Sequence, residues 1–243
     1  MQWQRRLLSL YHLTETGWFR VGIWLFFLGL FWLVAYVSLD PDFGWHLRMG
    51  EIILTSGFPS SEPFSYTMPS YPFIDHEWLT DVIWAASFPV IGKSGLALLY
   101  ALMAVGAVAA IFPFKSFGSV WAPFLLTIGV MLPRYSLRSQ VASWLLLTIF
   151  IRLLQTKLIR FRLACLLLLQ LFWTNLHGSF PLGVVLISLY AIYMWVKTRS
   201  WSLAQLGVPL SLAVTLINPY GIRLWQEVFR HLKLGLLHSQ ISE

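Results

Sequence analysis

The chain carries one apolar stretch after another with almost no charge to interrupt them. From Val21 to Leu39 there are 19 residues without a charged side chain, enough as a helix to cross about 30 Å of hydrocarbon. Further apolar runs follow at about residues 95–112, 120–132, 140–154, 163–174, 181–196 and 203–217. A chain built this way cannot surround itself with a charged shell. Hydrophobic residues make up 58% of the 243 and charged residues 11%, against roughly 45–50% and about 25% in soluble domains. The reading is an all-α membrane protein, a helical bundle of about seven transmembrane helices. The same composition excludes a disordered chain, a disulfide-stapled secreted domain and a nucleic-acid binder. The lone Cys165 can form no internal disulfide.

Charge gives the direction of threading. Arg5 and Arg6 precede the first run, which ends in Ser38-Leu39-Asp40-Pro41 and not in a small-residue cleavage site. A retained first span with a cytoplasmic N-terminus is therefore expected. Residues 40–81 then hold seven of the ten acidic residues and one base, Arg48, so their formal charge is −6 and that of the remainder +13. This segment reads as a large first outer loop. Counting on, the connectors expected inside hold Lys115, then Lys157, Arg160 and Arg162, then Lys197 and Arg199, with no acid among them. Those expected outside are Pro133–Arg138, Asn175–His177 and Asn218-Pro219-Tyr220-Gly221. The expectation is a multi-pass protein of the cytoplasmic (inner) membrane with an extracytoplasmic active face. Residues 222–243 read as an outer amphipathic segment.

The threading collects the unusual polar residues on the outer side, and polar groups at membrane depth are costly unless they face one another or a cavity. Asp42 stands where an N-cap belongs before an amphipathic helix from Phe43, and Gly57 where that helix stops. Asp75 caps a second helix from His76 to Trp84, with His76 and Glu77 in its first turn and pointing apart. Asp40 and Asp42 read either as helix caps or as carboxylates for general-base or metal chemistry. His46 and His76, with the carboxylates, are candidate ligands for a divalent ion (Mg or Mn), although no pair has a recognised ligand spacing. Arg134 and Arg138, four apart, would share a helix face and read as an anion site or as snorkelling side chains. Asn175, His177 and the Asn-Pro-Tyr-Gly turn have structural readings at chain breaks.

The string Asp40-Pro-Asp42-Phe-Gly-Trp45-His46-Leu-Arg-Met-Gly50, continued by Gly57-Phe-Pro59, Glu62-Pro-Phe64-Ser65-Tyr66-Thr67 and His76-Glu77-Trp78-Leu79, resembles the first outer loop of a group of bacterial multi-pass membrane proteins. That group is placed with the GT-C superfamily of polyprenyl-phosphate-sugar-dependent glycosyltransferases. Trp173-Thr-Asn175-Leu-His177-Gly178 and Leu216-Ile-Asn218-Pro219-Tyr220-Gly221 are similar to its later signatures. The resemblance implies an N-terminal module of seven spans with an acidic catalytic residue in the first outer loop. It implies a polyprenyl-phosphate-linked sugar as donor and a glycan, lipid or protein acceptor. In that picture Asp42, or else Asp40, takes the acceptor proton in an inverting displacement. Arg134, Arg138 and His177, with Asn175, His76 and Glu77 beside them, form the candidate set for substrate and phosphate. Such transferases are usually longer, so the chain is expected to be a truncated or shortened member. The alternative is a non-catalytic protein that binds lipid-linked glycan or assists assembly. A transporter ranks last, because Arg152 is nearly alone in mid-span and no inverted repeat is visible.

Overall fold

A computed structural model describes residues 17–112, 121–156, 159–200 and 203–238. Arg5, Arg6, Lys115, Lys157 and the terminal Ser242-Glu243 lie outside the described residues, as does the side chain of Arg160. Among the described residues all regular structure is helical: α1 (Gly17–Val37), α2 (Phe43–Ser56), α3 (Trp78–Ile111), α4 (Trp121–Met131), a 3-10 turn (Leu132–Arg134), α5 (Gln140–Gln155), α6 (Ile159–Leu176), α7 (Pro181–Thr198), α8 (Leu203–Val214) and α9 (Arg223–His238). Three of these, α1, α3 and α7, are long and apolar enough to cross a membrane. Helices α4, α5 and α8 are apolar but shorter, and the apolar part of α6 runs from Phe161 to Leu176.

The helices begin and end within a few residues of the apolar runs, with one difference. The expected amphipathic helix at 76–84 and the expected run at 95–112 belong to a single 34-residue element, α3. That element is broken at Gly92, whose φ of 59° and ψ of −170° are not helical and are readily available only to glycine. The break restores two pieces, as the change from polar to apolar composition suggests. Helix α2 stops as expected: Gly57 takes φ 84° and its N–H returns to the carbonyl of Ile53 at 3.1 Å, a left-handed cap. The Pro- and Ser-rich stretch that follows has no helix. It is closed by a single bridge between Ser61 and Pro72.

The chain divides into two compact units. The first holds residues up to Phe43 together with Ser87–Arg152. Its core is aromatic: Phe124 is fully buried and meets Phe27 edge-on at 5.1 Å and Trp24 at 5.8 Å. Ala97, Ala101, Ala104 and Val108 on α3 are buried at helical spacing, a face of small side chains that lets helices approach closely. The second unit holds Gly44–Ala86 and the residues from Leu153 on. Trp84, Trp173, Phe180 and Gln170 are fully buried in it. Gln170 is partly satisfied: its Nε2 donates to the carbonyl of Phe180 at 3.0 Å, where the chain turns between α6 and α7, while its Oε1 is buried without a hydrogen-bond partner.

Candidate functional site

In the first unit the polar site grows from the end of α1. Asp40 is 6% exposed, and a carboxylate so buried needs partners. Its Oδ1 accepts the backbone N–H of Asp42 at 3.0 Å, an Asx turn that leads into α2. Its Oδ2 accepts Nε of Arg138 at 2.5 Å and the Ser136 hydroxyl at 3.4 Å. A parallel bridge between Leu39 and Leu137 holds the two segments side by side. Asp42 itself is exposed at the N-cap position of α2. The spacing of Arg134 and Arg138 predicts a shared helix face, and this is corrected. Arg134 closes the 3-10 turn, and Tyr135 is extended (φ −96°, ψ 130°), so Arg138 lies beyond the helix. The two arginines nevertheless line one cavity of about 310 Å³, whose walls include Val108, Val130, Met131, Trp144 and Leu147.

In the second unit four segments bring titratable groups around Glu77. His46 comes from α2, His76 and Glu77 from the turn before α3, Asp81 from the first turn of α3, and His177 from the break after α6. The backbone N–H of Ser179 donates to Nδ1 of His177 at 3.0 Å. The neutral ring therefore carries its proton on Nε2, which faces Oε1 of Glu77 at 3.2 Å. Nε2 of His76 lies 3.6 Å from the same oxygen, and Nε2 of His46 lies 3.6 Å from Oε2. The other nitrogen of His46 meets Oδ1 of Asp81 at 2.7 Å. His76 and Glu77 are not in the first helical turn as expected. They precede it, since α3 starts at Trp78, and in that turn both can face inward. Asp75 does cap, its Oδ1 accepting the N–H of Glu77 at 2.9 Å.

Two glycines make this approach possible. A Cβ on Gly178 would stand 2.6 Å from Cδ2 of His76, and one on Gly50 would stand 2.0 Å from the backbone oxygen of Asp81. Asn175 acts as a clasp. Its Oδ1 accepts Nε1 of Trp78 at 2.9 Å, and its Nδ2 donates to the carbonyls of Leu171 at 2.8 Å and Ile217 at 3.0 Å. The polar residues thus form two groups, one in each unit. Between His46 and His76 stands the carboxylate of Glu77. Among the described residues no group of three or more His, Cys, Asp or Glu side chains is arranged to hold a metal ion. The sequence reading left Asp81 without a role and gave Asp75 and Tyr220 only structural ones. Asp81 falls one helical turn after Glu77, which is the signal that could have joined it to the group.

Burial and charge decide the protonation of this group. Burial alone would lower the pKa of His46, but the hydrogen bond to Asp81 and the charges of Asp81, Glu77 and Asp75 outweigh it and raise it to about 9. Burial and the charge of Asp81 push Asp75 up to about 8. Burial lowers His177. A raised histidine stabilises the fold fully below its ordinary 6.5 and loses that contribution as pH rises through about 9. A raised carboxyl likewise costs stability as pH rises from 3.8 towards 8. The melting temperature of the purified protein should therefore fall between pH 6.5 and 9, with His46 contributing on the order of 3 kcal/mol. Replacing His46 by glutamine should flatten that slope in a pH series of thermal melts; a slope unchanged in the variant would refute its assignment.

No protein-family model matches the chain, and no curated protein or solved structure is detectably similar to it.

Proposed function

We propose that the chain is a membrane glycosyltransferase-like protein of the GT-C type, transferring a sugar from a polyprenyl-phosphate carrier to an extracytoplasmic acceptor. The observation that carries this reading is the cavity of about 310 Å³ with Arg134 and Arg138 beside an apolar wall. Its chemistry suits an amphiphile: guanidinium groups for a phosphate and Val, Met and Leu side chains for the hydrocarbon next to it. In this reading the seven apolar segments cross the inner membrane with the N-terminus in the cytoplasm, and residues 40–81 face outward.

Each side chain then has a task. The acceptor hydroxyl oxygen bonds to the anomeric carbon while the bond from that carbon to the phosphate oxygen breaks, inverting the centre. The phosphate keeps the electron pair, and Arg134 and Arg138 stabilise its charge. Asp42, exposed beside the site, takes the acceptor proton. Asp40 has both oxygens engaged, by Asp42 N–H, Ser136 and Arg138, and serves as the positioning residue that holds Arg138.

The test is incubation of the purified protein with labelled polyprenyl-phosphate sugars and candidate acceptors. Turnover supports the transferase. Saturable binding without turnover favours a non-catalytic lipid-linked-glycan binder, and the absence of both turnover and binding would overturn the reading. Arg134→Ala, which leaves the Asp40–Arg138 pair intact, should raise the Kd for the carrier phosphate by about 10- to 100-fold, the worth of one charge-assisted contact. An unchanged Kd would remove Arg134 from the site.

A further inference from the structure

Helix α9 presents two different surfaces to its surroundings. Towards the second unit it is well packed. Leu224 and Glu227 are buried, and Trp225 is fixed by a hydrogen bond from its Nε1 to the Thr215 hydroxyl at 2.8 Å and by the Phe180 ring at 5.1 Å. The exposed side is divided lengthwise. Phe229 and Leu232, 56% and 60% exposed, continue from Trp225 in a stripe with one helical turn between neighbours. Alongside that stripe stand the exposed Arg223, Gln226 and Lys233. Glu227, the one acid in the helix, is turned inward and paired with Arg230 and His231. The charge on the exposed side is therefore positive.

Two observations identify what covers the stripe. The first is continuity. Leu206 and Leu210 on the apolar α8 are exposed, and so are Ile217 and Ile222 in the connection that leads to α9. Large aliphatic side chains exposed on one segment after the next share one solvent, and for α8 that solvent is lipid hydrocarbon. The second is the division of the exposed side. A helix facing water would be polar across all of it, and a helix crossing the bilayer would not carry Arg223, Glu227, Arg230 and Lys233. An aromatic and aliphatic half beside a basic half is the pattern of a helix lying in the plane of the headgroups. There the apolar half reaches the acyl chains, and Arg and Lys extend their heads to the phosphates.

We propose that α9 docks on the phospholipid surface, with Trp225, Phe229 and Leu232 in the acyl boundary and Arg223 and Lys233 at the headgroup phosphates. The packed side of the helix places the His231 ring 5.6 Å from that of His76 and the Arg230 guanidinium 5.1 Å from the centre of the Tyr71 ring. Docking therefore holds the group around Glu77 at headgroup depth. The inference rests on the membrane reading of the apolar helices and not on sugar transfer.

The experiment places a nitroxide label on the full chain in phosphatidylcholine nanodiscs, at Phe229→Cys, Leu232→Cys, Gln226→Cys or Leu206→Cys, each in a Cys165→Ser background. Relaxation by molecular oxygen, which concentrates in hydrocarbon, is compared with relaxation by a water-soluble nickel chelate. The oxygen-to-nickel ratio at positions 229 and 232 should be several-fold higher than at 226 and close to that at 206. Arg223→Glu together with Lys233→Glu should lower the ratio at 229 several-fold, because the phosphates then repel the helix; an unchanged ratio would overturn the phosphate contact. A ratio at 229 and 232 no higher than at 226 would overturn the docking. Protection of both positions from both reagents would overturn it too, and make a protein surface the occupant. A lipid-exposed label at 206 in either case leaves the membrane reading intact, whereas a water-exposed one overturns that reading together with the docking.

Discussion

Asp42→Asn is expected to reduce sugar transfer by about 10²–10⁴-fold, the usual contribution of a positioned general base, while leaving the melting temperature unchanged. Asparagine caps a helix about as well as aspartate, and position 42 immediately precedes α2, which starts at Phe43. The backbone N–H that anchors this turn on Asp40 is the same in both proteins. The substitution therefore separates the two roles that the residue type allows. Transfer measured with labelled polyprenyl-phosphate sugar, alongside a thermal melt, reads both. Retained turnover would leave Asp42 as a cap only. The contrasting change is Asp40→Asn, which weakens the ion pair that the buried Asp40 carboxylate makes with the partly exposed Arg138 at 2.5 Å and should lower activity together with a modest fall in Tm, because the charge-assisted contact that holds Arg138 is lost.

Gly50→Ala should be the most destabilising single methyl in the second unit. The added Cβ would lie 2.0 Å from the backbone oxygen of Asp81 and 2.7 Å from Cβ of Ala85. Neither can rotate away, so α2 must move off α3, and His46 with it. Overpacking of this kind costs about 1–3 kcal/mol and occasionally more. A cost of about 3 kcal/mol corresponds to a fall in Tm of roughly 6–12 °C for a chain of this size. Gly29→Ala is the control, since a Cβ there meets nothing within 4 Å and alanine is the better helix former by about 1 kcal/mol. The two substitutions should shift Tm in opposite directions, as differential scanning fluorimetry in detergent would show. Gly178→Ala should fall between them, because the atom it meets, Cδ2 of His76, belongs to a ring that can turn.

The helices were legible because their cause is local. Runs without charge, the Asp before α2 and the Gly after it fixed α1, α2 and α7 to within a few residues. The break inside α3 was also visible as two segments of different composition, although not as an interruption at Gly92. The candidate site was legible only in part. His46, His76, Glu77 and His177 stood out as polar residues in an apolar chain, but their common partner did not. What brings His46 to Asp81 is the bare surface of Gly50, and what brings His76 towards His177 is that of Gly178. Both are packing events between distant segments, and a glycine in sequence announces a turn as readily as a contact. Arg134 and Arg138 misled for the opposite reason. Their spacing fits a helix that Pro133 and the extended Tyr135 bring to an end.

The interruption at Gly92 also sets how much of α3 a bilayer must accommodate. An unbroken helix of 34 residues would measure about 51 Å, some 20 Å more than the hydrocarbon thickness. The piece after Gly92, from Lys93 to Ile111, measures about 28 Å and needs neither steep tilt nor local thickening of the lipid. Lys93 opens that piece with its ammonium 5.0 Å from the centre of the Tyr36 ring, near the end of α1. One left-handed residue thus converts a helix mismatched to its solvent into a matched one, with a cation and an aromatic ring together at its boundary, the pairing that anchors helices at the level of lipid headgroups.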